Sequence, residues 1–205
     1  MPPETSAQDT GIFRPVRQYD DRMSASSPDQ GGRARFEQVV LPQLDAAYNL
    51  ARWLTRNGSD AEDVVQDACE RALKYFGAFR GGDAKAWFLT VVRHACYDWL
   101  KRNRPAEVVP GDQETIESAP DLTSATPEQM AMRNASSSAL AEAIAALPLG
   151  YREVLILREL EGLPYREIAR VVDIPIGTVM SRLARARGLL QRSPVLHAIR
   201  ERSAG

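Results

Sequence analysis

Cysteine and histidine are scarce in this sequence of 205 residues, with two of each. Two cysteines, Cys69 and Cys96, can form neither a disulfide framework nor a four-ligand zinc site. Long apolar runs are also lacking: no stretch approaches the ~18 consecutive apolar residues of a membrane span, and residues 1–6 have no secretory-signal pattern. These absences predict a cytoplasmic protein with no membrane insertion and no bound metal.

Recognisable catalytic patterns are lacking too. The sequence contains no phosphate-binding glycine loop and no convincing Ser/His/Asp set or carboxylate pair. The two histidines, His94 and His197, do not have the spacing of metal ligands. We therefore expect a protein that is not an enzyme and that has no catalytic residues, metal ligands or cofactors.

The composition that remains is that of a globular protein, with 44% hydrophobic and 26% charged residues. Proline, glycine and polar residues interrupt the apolar pattern in two places, which indicates two folded units joined by a linker. We predict in turn a mobile N-terminal arm, a first unit, a flexible acidic linker, a second unit and a C-terminal tail, over residues 1–33, 34–104, 105–138, 139–192 and 193–205.

Apolar residues recur at steps of three and four in both units, and the alternation typical of strands is missing, which predicts an all-α fold. The first unit is expected to contain three or four helices. Pro42 predicts a kink or a break in the first of them, and Ser59 or Asp60 can cap the next. A long helix is predicted from Ala84 to about Arg102, capped by the glycine-containing turn before it.

The second unit contains the pattern of a helix-turn-helix, with short helices predicted over 165–172 and from 176 to about 190. The second of these helices would enter the major groove of DNA. The residues predicted to pack the two helices together are Ile168, Val172, Val179 and Leu183. The polar residues left to face DNA, where arginine can pair with guanine or phosphate, are Thr178, Ser181, Arg182 and Arg185.

The formal net charge of −1 argues mildly against nucleic-acid binding, but its distribution along the chain does not. Residues 71–104 contain eight basic and two acidic residues, a net charge of +6. Residues 105–135 contain one basic and six acidic residues, a net charge of −5. Basic helices are the electrostatic pattern expected for contact with phosphates. The near-neutral total therefore conceals a candidate nucleic-acid surface.

Residues 147–187, with the Gly-Thr-Val-x-Ser-Arg string that begins at Gly177, resemble the −35-binding domain of the bacterial extracytoplasmic-function (ECF) sigma factors. The first unit resembles their −10-binding domain, through the acidic segment 60–67 and the segment 86–102. The matches follow the family's order and spacing. The resemblance implies an alternative sigma factor of the sigma-70 family (group IV), which directs RNA polymerase to promoters and aids promoter melting.

The resemblance also assigns three sets of binding residues. Contacts with the −10 region are expected from Arg80, Lys85, Arg93, His94, Asp98, Trp99, Lys101 and Arg102. Contacts with the −35 region are expected from Pro175, Gly177, Thr178, Ser181, Arg182 and Arg185. Contacts with core polymerase are expected from Glu62, Asp63, Gln66 and Asp67.

Three positions depart from the family pattern. His94 stands where asparagine is usual, Met180 where lysine or arginine is common, and Asp173 at a turn where glycine is frequent. Aspartate tolerates the left-handed turn conformation reasonably well. These departures bear on which promoter is read and leave the architecture intact.

Promoter melting requires unstacked bases to be captured, which suits aromatic side chains beside cations. Tyr75, Phe76 and Phe79 precede the glycine-rich loop and are candidates for this stacking. Trp87 and Phe88 have helical spacing and are expected to belong to the core instead.

By resemblance, the partners are core RNA polymerase, promoter DNA and an anti-sigma factor. The polymerase contacts would involve the clamp helices of the largest subunit and the flap of the second-largest. Two alternatives remain open. One is a stand-alone helix-turn-helix regulator whose first unit senses a ligand or dimerises. The other is an enzyme with an attached DNA-binding domain, which predicts a polar catalytic pocket in residues 34–104.

Overall fold

The computed structural model describes residues 30–108 and 131–194, and every regular element within them is helical. The predicted all-α fold is confirmed. The arm up to residue 29, most of the linker and the tail beyond residue 194 lie outside the described residues. The α-helices in the described parts are α1 (Gln30–Val40), α2 (Leu44–Thr55), α3 (Gly58–Tyr75), α4 (Ala84–Asn103), α5 (Ala131–Ala145), α6 (Leu149–Leu155), α7 (Tyr165–Val172) and α8 (Ile176–Gln191).

The first unit is a bundle of four helices, α1 to α4, as the apolar spacing predicts. Pro42 lies in a 3₁₀ turn, Leu41–Gln43, that separates α1 from α2, so the predicted break occurs at this proline. Helices α2, α3 and α4 pack against one another. Their shared core contains Leu50, Leu54 and Phe88, none of which is exposed to solvent.

The two predicted helix caps in this unit have different outcomes. Asp83 caps α4, because its Oδ1 accepts a hydrogen bond of 3.0 Å from the Ala86 amide. The prediction that Ser59 or Asp60 caps α3 is wrong: the cap is Asn57, whose Oδ1 accepts from the Asp60 amide at 3.2 Å. A cap needs an extended backbone, and Asn57 has it, whereas Ser59 already lies inside the helix.

An aromatic cluster fills the end of the bundle near the glycine-rich loop. The ring centroids of Phe79 and Trp87 are 4.9 Å apart, and those of Phe36 and Phe76 are 5.3 Å apart. Trp87 and Phe88 are buried, so their predicted place in the core is confirmed. Phe76 and Phe79 are buried in the same cluster, which makes the prediction that they stack on unpaired bases wrong for this arrangement.

The second unit consists of α5 to α8, with α7 and α8 forming the predicted helix-turn-helix. The turn contains Asp173 in the left-handed conformation, with φ of 57°. The four apolar residues predicted to join these helices are all buried, namely Ile168, Val172, Val179 and Leu183. Helix α5 begins at Ala131, inside the stretch that the sequence predicts as linker. The pattern did not predict this helix because its alanines and serines carry only weak apolar periodicity.

The two units are in contact, which the sequence pattern did not predict. Helix α4 lies against α7, and α2 lies against α6. None of the helices in the described parts of the chain is long and apolar enough to cross a membrane.

Candidate nucleic-acid interface

Helix α4 carries most of the residues predicted to contact the −10 region, and they fall into two groups by exposure. Lys101 and Arg102 at its C-terminal end are exposed, as is Arg80 in the loop before the helix. The remaining five are half-buried, namely Lys85, Arg93, His94, Asp98 and Trp99. The exposed cations can therefore reach a phosphate directly, whereas the half-buried residues have protein neighbours.

A groove of about 780 Å³ runs between α3 and the end of α4. It brings together residues predicted for two different partners. The lining residues predicted to bind polymerase are Asp63 and Asp67, and those predicted to bind DNA are Asp98, Trp99, Lys101 and Arg102. The sequence places these two sets 31 residues or more apart and gives no sign that they share one groove.

Arg71 joins the two sides of this groove, a role that the sequence analysis missed. Its guanidinium contacts Asp67 at 2.7 Å on α3 and Asp98 at 2.6 Å on α4. Burial alone would lower the pKa of Arg71, but the hydrogen bonds that it donates to Asp98 and Asp67 raise it. Arg71 thus fixes two of the predicted contact residues. An i,i+4 pair with Asp67 was visible in the sequence, whereas the Asp98 contact required the fold.

The polymerase-binding residues predicted on α3 lie on its outer side. Glu62, Asp63 and Gln66 are exposed, and Asp67 is half-buried beside Arg71. These side chains therefore form an acidic surface that a basic partner can reach.

Arg93 is held by the second unit. Its Nε lies 2.5 Å from Oε1 of Glu153 on α6, a carboxylate with no exposed side-chain surface. The Tyr97 hydroxyl donates to the other oxygen, Oε2, at 3.1 Å. Burial alone would lower the pKa of Arg93, but the Glu153 charge and Tyr97 raise it above its ordinary value. Arg93 is therefore always protonated, and its guanidinium is already paired with the Glu153 carboxylate.

Lys85 has a comparable neighbour. Its Nζ lies 2.9 Å from Oε2 of Glu161 and donates to the Glu161 backbone carbonyl at 2.8 Å. Asn49 on α2 donates to Oε1 of the same carboxylate at 3.3 Å. Two cations predicted to contact DNA are thus paired with carboxylates of the second unit.

His94 is oriented by its own helix. Its Nδ1 lies 2.7 Å from the Thr90 carbonyl oxygen, so Nδ1 carries the hydrogen and donates. Burial lowers the pKa of His94, which outweighs the opposing effect of this hydrogen bond, and the Arg93 charge lowers it further. The ring is therefore neutral at pH 7.

The DNA-binding residues predicted around α8 share one side of the helix-turn-helix. Pro175, Gly177 and Ser181 are exposed and Thr178 is half-exposed. Ser181 donates to the Thr178 carbonyl at 3.0 Å. Met180, on this helix, is 53% exposed, which places an apolar side chain where the family commonly has a cation.

The two predicted arginines of α8 both lie toward α6. Arg182 is half-buried against Gly150, where an added Cβ would lie 3.2 Å from its Nη1. Arg185 is exposed, and its Nη1 donates to the Tyr151 hydroxyl at 3.3 Å. Both guanidinium groups are therefore oriented by contacts within the second unit.

The described residues show no group of three or more His, Cys, Asp or Glu side chains that could hold a metal ion. Both cysteines have free thiols, with Cys96 buried and Cys69 half-buried. Burial raises the pKa of both thiols, which disfavours the reactive thiolate.

Comparison with known proteins places both units in one family. Residues 40–105 match the family model for sigma-70 region 2, and residues 137–190 match that for sigma-70 region 4. The chain is 29% identical to the RNA polymerase sigma-H factor of Pseudomonas aeruginosa over 184 residues, covering 87% of this chain and 95% of that protein. It is 30% identical to the ECF RNA polymerase sigma-E factor of Haemophilus influenzae over 183 residues, covering 86% and 96%.

Solved structures agree. The sigma factor RpoE of Bartonella quintana, in complex with the anti-sigma factor NepR, matches with a TM-score of 0.58 and 28% identity, covering 77% of this chain and 94% of that one. CnrH, in complex with the cytosolic domain of CnrY, has the same fold, with a TM-score of 0.53, 24% identity and coverage of 78% and 86%.

Two sigma-70 regions in one chain define an RNA polymerase sigma factor. The chain belongs to the ECF RNA polymerase sigma factors, as the sequence motifs predicted. Members of this family direct the initiation of transcription and are regulated by anti-sigma factors. They are regulators of transcription and not enzymes.

Proposed function

We propose that this chain binds core RNA polymerase and directs it to promoters by contacting both the −35 and the −10 element. The observation that carries the proposal is the pairing of two sigma-70 regions with one acidic and two basic surfaces on them. The chain itself performs no catalysis in this proposal, and nucleotide joining belongs to the polymerase. Its place of action is the cytoplasm.

The acidic side of α3 is the proposed polymerase contact. Glu62, Asp63 and Gln66 are exposed, which supports docking on the clamp helices, a coiled coil of the largest subunit that would have to present basic side chains. The second unit would contact the flap of the second-largest subunit. Asp67 contributes less directly, because Arg71 already occupies it.

The proposed −10 surface is α4, and the proposed −35 surface is the N-terminal part of α8. Lys101, Arg102 and Arg80 supply exposed cations for phosphate contact. Residues at the start of α8 are exposed in the way that a helix entering the major groove requires. The aromatic side chain best placed to meet an unpaired base is Trp99, which lines the groove between α3 and α4.

An anti-sigma factor is the proposed regulator of the chain. RpoE of Bartonella quintana was solved with the anti-sigma factor NepR, and CnrH with the cytosolic domain of CnrY, and the chain shares its fold with both. The comparison supports a proteinaceous inhibitor that competes with core polymerase for the two units.

The decisive experiment adds purified protein to core polymerase and follows run-off transcription from genomic promoter fragments, with start sites read by sequencing. We expect a stable complex and new start sites that core polymerase alone does not produce. A stand-alone regulator would bind promoter DNA tightly by itself and form no complex with core polymerase, and that pair of results would refute the proposal.

The polymerase contact has its own test. Charge reversal by Asp63→Lys with Asp67→Lys is expected to weaken binding to core polymerase by about tenfold or more, because two lysines would then face a basic surface of the partner and repel it. The control, Glu37→Lys with Asp45→Lys, makes the same change of charge on exposed positions of α1 and α2. Equal affinities of the two variants, measured by competition for core polymerase, would remove α3 from the interface.

A further inference from the structure

We propose that an apolar stripe on the outer side of α8 makes this chain select −35 elements by the 5-methyl groups of thymine. The stripe consists of Ile176, Met180 and Ala184. The inference rests on the proposed function, since it takes α8 as the helix that enters the major groove. It adds the kind of base that one side of this helix reads.

The stripe is an exposed row that is separate from the core of the second unit. Ile176 is 41% exposed and Met180 is 53% exposed, and Ala184 is exposed as well. Residues four apart are neighbours on one side of a helix, and the row extends over about 12 Å at a rise of 1.5 Å per residue. The buried face of α8 is formed by other residues, among them Val179 and Leu183. The apolar row is therefore available to a partner.

A second row runs beside the first and determines what that partner is. Gly177, Ser181 and Arg185 each follow a member of the stripe by one position, are exposed, and belong to the predicted −35 contacts. A Cβ added to Gly177 would meet no atom of the described residues within 4 Å, so the space beside the start of the helix is open. A base pair that meets the polar row therefore brings its neighbours against the apolar row.

Thymine is the base that an apolar row can recognise. In the major groove, its 5-methyl group is the apolar feature that distinguishes it from the other three bases, whose edges present donors and acceptors. The thioether chain of Met180 can bury such a methyl group without leaving a polar atom unpaired. Against a guanine or cytosine edge, the same side chain would remove water from donors and acceptors and replace none of their hydrogen bonds.

Methionine at position 180 also changes how binding depends on sequence. A lysine or arginine there could neutralise a phosphate, which strengthens binding to any DNA and makes it more sensitive to salt. Met180 has no charge to offer a phosphate, so its contribution to affinity comes from contact with a base. Its exposure on the same side as Ser181 and Arg185 thus favours a role in specificity.

The test removes one methyl group at a time from the DNA. In promoter fragments obtained from the run-off experiment, each thymine of the −35 element, on either strand, is replaced by deoxyuridine, which lacks the 5-methyl group. Competition binding gives the affinity of the holoenzyme for each fragment. We expect a loss of about threefold to fivefold at one or two positions, because burial of one methyl-sized group contributes a factor of about four.

The variants assign this loss to the stripe. Met180→Ala should bind the thymine and the uracil fragment equally at one of the sensitive positions, since the side chain that buries the methyl group is absent. Met180→Lys should lose the same preference, and its affinity should fall more steeply with salt, by about 0.9 in the logarithmic slope for one added phosphate contact. Both substitutions are at an exposed position, so the second unit should remain folded.

Leu160→Ala is the matched control. Leu160 is 52% exposed and lies in the second unit outside α8, so its loss removes a similar apolar surface and should leave the preference for thymine unchanged. Equal affinity of the wild type for thymine and uracil at every −35 position would overturn the inference and leave the proposed function intact. The same holds if Met180→Ala keeps the full preference, or if the −35 elements share no thymine. Failure of the wild type to produce any new start site would instead refute the proposed function, and this inference with it.

Discussion

His94 illustrates how much one side chain can couple the fold to pH. The unfolded chain binds a proton at this histidine near its ordinary pKa of 6.5, whereas burial in the folded state lowers that pKa. The unfolded state therefore binds more protons as the pH falls through 6.5. It follows that the free energy of unfolding contributed by neutral His94 is present above pH 6.5 and decreases on acidification below it.

Replacement by the residue usual in the family tests this. For His94→Asn we expect the free energy of unfolding to fall less steeply between pH 7.5 and 5.5 than for the wild type, because asparagine does not titrate. Urea denaturation followed by circular dichroism at each pH gives the two slopes. Parallel slopes would show that His94 does not differ in pKa between the folded and unfolded chain.

Arg182 is the residue on which promoter affinity should depend most at the −35 end. If Arg182 contacts a base through two hydrogen bonds, Arg182→Ala should weaken −35 binding by about 1–3 kcal/mol. The matched control is Arg187→Ala on the same helix, since Arg187 is paired with Glu159 at 2.6 Å. The measurement is holoenzyme binding to promoter fragments, and equal losses for the two variants would contradict a specific role for Arg182.

At the scale of a whole helix, α3 depends on how it begins. Its first turn follows Arg56, which has a left-handed φ of 60° and ends α2, so the two helices are joined by a very short turn. Asn57 supplies the cap to the Asp60 amide. The acidic residues proposed to meet the polymerase follow directly, so an intact first turn positions them.

The choice between the two cap assignments can be measured. Asn57→Ala should lower the free energy of unfolding by about 1 kcal/mol, because it leaves the Asp60 amide without its acceptor. Ser59→Ala, at the second residue of α3, should change the free energy of unfolding by only a few tenths of a kcal/mol. If thermal or urea denaturation shows a larger loss of stability for Ser59→Ala than for Asn57→Ala, then Ser59 caps the helix, as the sequence alone predicts.

At the scale of the whole molecule, the contact between the units depends on the group around Glu107. This carboxylate lies next to Arg56, Arg152 and Arg104, at distances between 3.4 and 3.8 Å. One negative charge thus lies next to three positive charges at the junction of α2, α4 and α6. Its loss should therefore destabilise both units.

We expect Glu107→Gln to lower the free energy of unfolding by about 1–3 kcal/mol, since it leaves buried guanidinium groups without an anion. Glu37→Gln provides the comparison, because Glu37 makes an exposed i,i+4 pair with Arg33 at 3.4 Å, a pair worth about 0.3–0.5 kcal/mol. Similar effects of the two substitutions would mean that the Glu107 group contributes no more than a surface ion pair.

Local patterns explain why much of the fold is predictable from the sequence. Helix α7 spans Tyr165–Val172 as predicted, because strong amphipathic periodicity and the turn at Asp173 define both of its ends. Asp83 caps α4 as predicted because it follows two glycines and precedes a long apolar repeat. The −35 motif is equally local, so the family could be recognised from the residues alone.

Contacts between distant segments explain what was missed. The pairing of Arg93 with Glu153 spans 60 residues, and no periodic pattern relates the two. The bridge from Arg71 to Asp98 likewise depends on how α3 packs on α4. Such contacts decide which of the predicted DNA-binding cations are reachable, and this makes the sites harder to predict than the helices that carry them.

Gly150 of α6 lies next to Arg182 of α8, the helix proposed to enter the major groove. Any side chain at this position would meet Arg182, because the added Cβ would lie 3.2 Å from Nη1 and 3.5 Å from the central carbon of the guanidinium. The guanidinium would then have to shift by a few tenths of an ångström. A substitution at Gly150, which would not itself touch DNA, can therefore displace a side chain proposed to read the −35 element, and with it change which promoters are selected.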